Sequence, residues 1–306
     1  FDTMTPHTVS ALPARTQLWM AALKPPMYSV AVTPIWVGSL MAYADTGHFN
    51  ALVFIAFTLS AILLLVWENL ANDVFDAETG IDENKAHSVV NLTQRPQLIF
   101  WLGNLALALG IAGIVAVAYA QSDPTVLALI VLCCLIGYLY QGPPFRLGYQ
   151  GLGEPLCLVA FSLGVAAAYY SQAQALPLTV WPTALLVGLP ITLVLFCSHF
   201  HQVEDDLAAG KRSPIVRLGT ARGSQVLQWL CGSVFAIAIL GVVGGGLPAT
   251  VLSLFAAATL AWQLCRHVAH THHQPDRVKN AKFVAIRFQF VSGLLLGLSF
   301  WIAGLG

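Results

Sequence analysis

Apolar residues run along this chain in long blocks, and polar residues are confined to the joints between them. A bilayer core asks for about 20 mostly apolar residues per helix. Blocks of that kind occur at 27–44, 50–75, 98–120, 124–141, 153–172, 177–203, 222–243, 247–268 and 283–304. The pattern predicts an all-α polytopic membrane protein with about nine transmembrane helices, since only hydrogen-bonded helices or closed barrels satisfy their backbone in lipid. Four joints are short and carry turn chemistry: Asp45-Thr46-Gly47, Ser122-Asp123-Pro124, Gln174-Ala175-Leu176-Pro177 and Gly244-Gly245-Gly246-Leu247-Pro248. Residues 1–26, with Trp19, Lys24, Pro25 and Pro26, are read as an N-terminal segment that forms a short interfacial helix. Residues 27–306 are read as one transmembrane domain. No cleavable signal peptide is expected, and Met4 is the candidate natural start.

Composition agrees with lipid as the solvent. Hydrophobic residues make up 57% of the chain and charged residues 9%, against about 25% charged in soluble domains. The mean hydropathy is +0.73. Fourteen Lys and Arg balance fourteen Asp and Glu, so no bulk field recruits nucleic acid. The distribution of charge says more than its sum. None of the basic residues falls in the four short joints; they cluster in the other connections and the N-terminal segment, which places that face in the cytoplasm. All acids except Asp45 and Asp123 share the same face. Orientation asks nothing of acids, so this excess calls for a site. The six cysteines lie in apolar stretches without metal or redox spacing and read as small buried hydrophobes. His267, His270, His272 and His273 read as a polar interface loop rather than a metal site.

Two helix ends carry the chemistry. The second block closes on Glu68-Asn69-Leu70-Ala71-Asn72-Asp73-Val74-Phe75-Asp76, where Asn69, Asn72, Asp73 and Asp76 share one helical face. Oxygen donors of this kind suit a hard cation such as Mg²⁺. Gly80 is placed to end the helix and let Asp82 and Lys85 fold back over the mouth. The sixth block closes on His199-Phe200-His201-Gln202-Val203-Glu204-Asp205-Asp206, with His199, Gln202 and Asp206 on one face, Asp205 close to it, and Lys211 following. A third segment, Tyr138 to Glu154, joins the fourth and fifth blocks. Its Gly and Pro content predicts a fixed irregular turn, with Arg146 to grip phosphate and Tyr140 or Tyr149 to line an aromatic pocket.

These residues resemble the UbiA superfamily of intramembrane prenyltransferases, whose first aspartate motif is written N-D-x-x-D-x-x-x-D. Here Gly80 occupies the last acidic position and Asp82 follows, a G-x-D ending similar to the MenA branch, the 1,4-dihydroxy-2-naphthoate prenyltransferases. Tyr140, Gly142, Pro144, Leu147, Tyr149 and Gly151-Leu152-Gly153-Glu154 match that branch's Y-x-G-x-P-x-x-L-x-Y-x-G-L-G-E run, with Arg146 replacing its frequent proline. The second motif, D-x-x-x-D, keeps Asp206 but has Gln202 at its first position, and Asp205 or Glu204 is the candidate to compensate. Phe145-Arg146 and His199-Phe200-His201-Gln202 look like the cyanobacterial and plastid form, which transfers a phytyl chain.

The resemblance implies two Mg²⁺ ions held by Asp73, Asp76 and Asp206, with help from Asn72, Asp82 or Asp205. It implies a prenyl diphosphate donor, phytyl favoured, and 1,4-dihydroxy-2-naphthoate as acceptor. Asn69, Lys85, Tyr140, Arg146, Tyr149, His199, Gln202 and Lys211 are the expected substrate-binding residues. The product expected is a precursor of phylloquinone or menaquinone, formed in a plasma or thylakoid membrane with loss of carbon dioxide and diphosphate. The nearest rival is another member of the superfamily, acting on homogentisate, 4-hydroxybenzoate or a chlorophyllide. A transporter is a rival of a different class, but transporter sites tend to lie near the bilayer midplane rather than at helix ends.

Overall fold

The computed structural model describes residues 19–20, 25–81 and 88–306. The interfacial helix expected over 1–26 falls almost wholly outside the described residues, as do Asp82 and Lys85. Among the described residues, eight helices are long and apolar enough to cross a membrane: Pro25–Thr46, Ala51–Thr79, Pro96–Gln121, Gly148–Ala173, Val180–His201, Thr220–Val243, Ala249–Thr271 and Pro275–Ala303. A shorter apolar helix, Thr125–Gln141, lies between the third and fourth of these. Taken in chain order as spans one to nine, they correspond one to one with the nine apolar blocks, and no strand occurs among the described residues. Span four has 17 residues, so it rises about 25 Å, a little short of the hydrocarbon thickness.

Local sequence sets the ends of these helices. Asn50 caps span two by accepting a hydrogen bond from the Val53 amide at 3.1 Å. At the other end Gly80 takes a left-handed conformation, φ 76°, and stops the helix where the sequence predicts. The two acids set apart from the basic face pin the opposite loops. Tyr169 donates to Asp45 at 2.8 Å and Tyr170 donates to Asp123 at 2.6 Å, so both acids are tied to the end of span five.

Span six is the most enclosed helix and packs against spans five, seven and nine, while span two pairs with span three. Small residues allow close approach, as expected where lipid supplies no hydrophobic drive between helices. A Cβ at Gly38 would lie 2.5 Å from the Val165 carbonyl oxygen, and one at Gly297 would enter the Trp36 ring, so spans five and nine both seat on span one. Between spans nine and one, Gln289 donates to the Thr33 hydroxyl at 2.8 Å and accepts from Ser29 at 3.1 Å. Large apolar side chains such as Leu52, Leu105, Trp229 and Leu240 are exposed on the outer surface, where lipid would cover them.

Candidate active site

The two acidic helix ends meet. Asn69, Asn72, Asp73 and Asp76 of span two face Leu195, Ser198, His199, Gln202 and Lys211 across a polar chamber of about 180 Å³, and Tyr140 and Gln141 of span four close its side. The chamber shares Asn69, Asn72, Asp76, Tyr140, Gln202 and Lys211 with a larger cavity of about 610 Å³. That cavity runs inward among Ile35, Phe57, Leu64, Trp67, Ile130, Cys133, Cys134, Phe161 and Ile191, which are apolar side chains of spans one, two, four, five and six. A polar head thus opens into an apolar sheath.

Each carboxylate is oriented by its surroundings. The buried Asp73 accepts a hydrogen bond from the Val89 amide at 2.9 Å, which ties it to the short helix Val89–Thr93. Asp76 accepts from Gln141 and from the Tyr149 hydroxyl, the latter at 3.1 Å, and the Thr79 hydroxyl lies 2.7 Å from that same phenol. Asp206 is fully buried. His199 Nδ1 lies 3.1 Å from Asp206 Oδ2 and Lys211 Nζ lies 3.7 Å from Asp206 Oδ1. Burial pushes the Asp206 carboxyl up, but the His199 hydrogen bond and the Lys211 charge outweigh it and hold the group below the usual carboxylate range. The chain of contacts continues, because His199 Nε2 lies 3.5 Å from Glu154 Oε1.

The glycine-rich turn of the third segment explains itself in this setting. Gly151 has φ 81°, and a Cβ there would stand 2.5 Å from the Arg212 carbonyl oxygen. The Arg212 amide in turn donates to the Tyr149 carbonyl at 2.7 Å, and Arg217 donates to the Gln150 carbonyl. The fourth-to-fifth connection is therefore laced to the segment after the second acidic helix end. A Cβ at Gly148 or Gly153 would each lie 2.8 Å from the Tyr140 ring, so these glycines form the slot that holds Tyr140 against the chamber.

Of the residues singled out by sequence, Asn69, Asn72, Asp73, Asp76, Tyr140, His199, Gln202 and Lys211 line the chamber. Asp205 and Asp206 line the larger cavity. Tyr149 reaches the site through Asp76, and Lys211 Nζ sits 5.6 Å from the centre of its ring. Arg146 lines neither cavity; its guanidinium pairs with Glu78 at 2.9 Å. Sequence reasoning missed Gln141, Glu154, His201 and Lys282. Gln141 and Glu154 stand inside the very run that was matched, whereas His201 and Lys282 line the larger cavity from spans six and nine, a meeting no local pattern announces.

The donor set fits a hard cation. His199 Nδ1 is hydrogen-bonded to Asp206 and its Nε2 is turned toward Glu154 at 3.5 Å. This leaves carboxylate and amide oxygens facing the chamber, including the buried Gln141 Oε1, which has no hydrogen-bond partner. Among the described residues no three His, Cys, Asp or Glu side chains converge on one point. A coordination shell here would therefore be completed by water and substrate oxygens, as Mg²⁺ prefers.

A bundle of apolar helices with two facing acidic ends above an apolar cavity defines a class of intramembrane enzyme, and comparison with known families gives that class its name. Residues 31–300 match the UbiA prenyltransferase family, and the chain belongs to it. Among its relatives is the 2-carboxy-1,4-naphthoquinone phytyltransferase of Synechocystis sp., 51% identical over 303 residues that cover 99% of each chain. The chloroplastic enzyme of the same name from Arabidopsis thaliana is 40% identical over 94% of this chain and 78% of its own. The fold also matches a solved UbiA homolog from Archaeoglobus fulgidus bound to GPP and Mg²⁺, with a TM-score of 0.59 and 16% identity over 93% of this chain and 99% of that one.

Proposed function

We propose that this protein transfers a prenyl group, phytyl in preference to longer chains, from its diphosphate to 1,4-dihydroxy-2-naphthoate on the cytoplasmic side of the membrane, releasing diphosphate and carbon dioxide. The observation that carries this reading is the junction of the two cavities. A polar chamber of about 180 Å³, lined by carboxylates, amides and Lys211, opens directly into an apolar cavity of about 610 Å³. An amphiphile with a charged head and an isoprenoid tail matches that division. Relatives named for phytyl transfer to a carboxylated naphthoquinone support the choice of donor and acceptor.

Two Mg²⁺ ions are proposed, one in the chamber at Asp73 and Asp76 with Asn72 and Gln202 beside it, and one at Asp206 with Asp205 beside it, where the chamber meets the larger cavity. When bound, Mg²⁺ would neutralise the charge that develops on the departing diphosphate oxygens. The chain's own residues do the rest. Lys211 holds a positive charge at the chamber wall, fixed there by the buried Asp206 carboxylate at 3.7 Å. Gln141 and Tyr149 hold Asp76 in place. The apolar lining of the larger cavity excludes water from the allylic carbon as its bond to oxygen breaks, so that the ring captures it first.

The acceptor has to react in its reduced form, because an allylic cation is attacked by an electron-rich ring and a quinone is electron-poor. The electron pair of the ring carbon bearing the carboxylate forms the new carbon–carbon bond while the carbon–oxygen bond of the donor breaks toward diphosphate. The carboxylate then leaves as carbon dioxide and its bonding pair restores the aromatic ring, so no proton is gained or lost overall. Purified protein supplied with both substrates and Mg²⁺ is expected to release diphosphate and form a prenylated naphthoquinol. In mixed-donor competition, phytyl diphosphate should outcompete octaprenyl diphosphate. Absence of diphosphate release with any naphthoate would refute the reading.

A further inference from the structure

One acid that lines the larger cavity stands outside the aspartate motifs. Glu68 lies four residues before Asn72 in span two, about 6 Å along the axis, and immediately precedes Asn69, the first residue of that span to line the chamber. It lines the larger cavity but not the polar chamber, and it shares that cavity with Leu64, Trp67, Cys134 and Ile136. The side chain is half-buried and open to the cavity. Its Oε1 accepts from the Asn72 amide at a long 3.5 Å. Its Oε2 lies over Gly137 of span four, where a Cβ would be 2.6 Å away. Only glycine leaves that space. An ionisable side chain placed in an apolar cavity within a membrane span is costly and calls for a function.

We propose that Glu68 is the acceptor-recognition residue, accepting a hydrogen bond from the ring hydroxyl adjacent to the reacting carbon. This rests on the prenyl-transfer reading above. With the diphosphate in the chamber, the donor's first carbon emerges at the top of the cavity, and the ring that attacks it must lie in the stretch that Glu68 lines. A hydroxyl beside the reacting carbon then meets the carboxylate, which fixes which ring edge faces the donor and raises the electron density at that carbon.

The experiment measures KM for each substrate in wild type, Glu68→Leu and Gly137→Ala. Glu68→Leu is expected to raise KM for 1,4-dihydroxy-2-naphthoate at least tenfold and to leave KM for phytyl diphosphate within twofold. Gly137→Ala should shift the acceptor KM in the same direction by crowding the carboxylate. Wild-type protein alone provides an independent arm that does not depend on a variant folding. In it, 1-hydroxy-2-naphthoate should compete with the acceptor at least tenfold more tightly than 1-methoxy-2-naphthoate, whose ether cannot donate. Equal inhibition by the two compounds, or a change in donor KM without a change in acceptor KM, would overturn the assignment. Wild type failing to turn over the naphthoate at all would instead refute the underlying prenyl-transfer reading.

Discussion

At the scale of single residues, Asp73, Asp76 and Asp206 are not equivalent. Asparagine in place of Asp73 can still accept the Val89 amide, and in place of Asp76 it can still accept from Tyr149. Asp73→Asn and Asp76→Asn are therefore expected to insert and unfold like wild type while kcat falls by about 10²–10³-fold, the scale of removing one preorganised electrostatic contact. Asp206→Asn should lose activity and stability together, because the buried Lys211 keeps its charge and loses its partner. Breaking such a pair from one side costs about 3–5 kcal/mol. Thermal unfolding in detergent beside diphosphate release separates the two cases. Wild-type turnover of any of the three at limiting Mg²⁺ would remove that residue from the site. The carboxylates were legible in the sequence because an acid at the end of an apolar helix is conspicuous. Glu154 and Gln141 were not, since their roles come from His199 and Asp76, which reach them from other helices.

At the scale of elements, the connection between spans four and five is a predicted irregular turn whose contacts only the structure explains. Gly151→Ala places a Cβ against the Arg212 carbonyl at 2.5 Å in a backbone of φ 81°. It is expected to lower stability by more than the roughly 1–2 kcal/mol that a left-handed residue costs alone, and to lower activity by displacing Tyr149 from Asp76. Gly210→Ala is the control, since Gly210 also has positive φ, 71°, with nothing within 4 Å of a Cβ. It should show the backbone cost without the loss of activity. Equal losses in both would mean that the Arg212 contact does not matter. The helix end at Gly80 was readable because it depends on adjacent residues. The lacing of Tyr149 to Arg212 was not, because it joins positions about sixty residues apart through backbone groups that every sequence carries.

At the scale of the whole molecule, the nine apolar blocks were legible because bilayer thickness imposes a length on each helix. Which helices enclose the cavity was not, because the apolar faces turned to lipid and to protein use the same residues. The proposed metal requirement is tested on the whole molecule. Exhaustive chelation should abolish turnover, Mg²⁺ should restore it, and Zn²⁺ should substitute poorly at an oxygen-lined site. Full activity after chelation would defeat the two-ion arrangement. The central claim is that the prenyl group replaces the acceptor's carboxylate, and carboxyl-labelled 1,4-dihydroxy-2-naphthoate tests it most directly. With phytyl diphosphate and Mg²⁺, labelled carbon dioxide should appear in step with diphosphate, one for one. Label retained in a prenylated product, or turnover only with homogentisate or 4-hydroxybenzoate, would contradict the account.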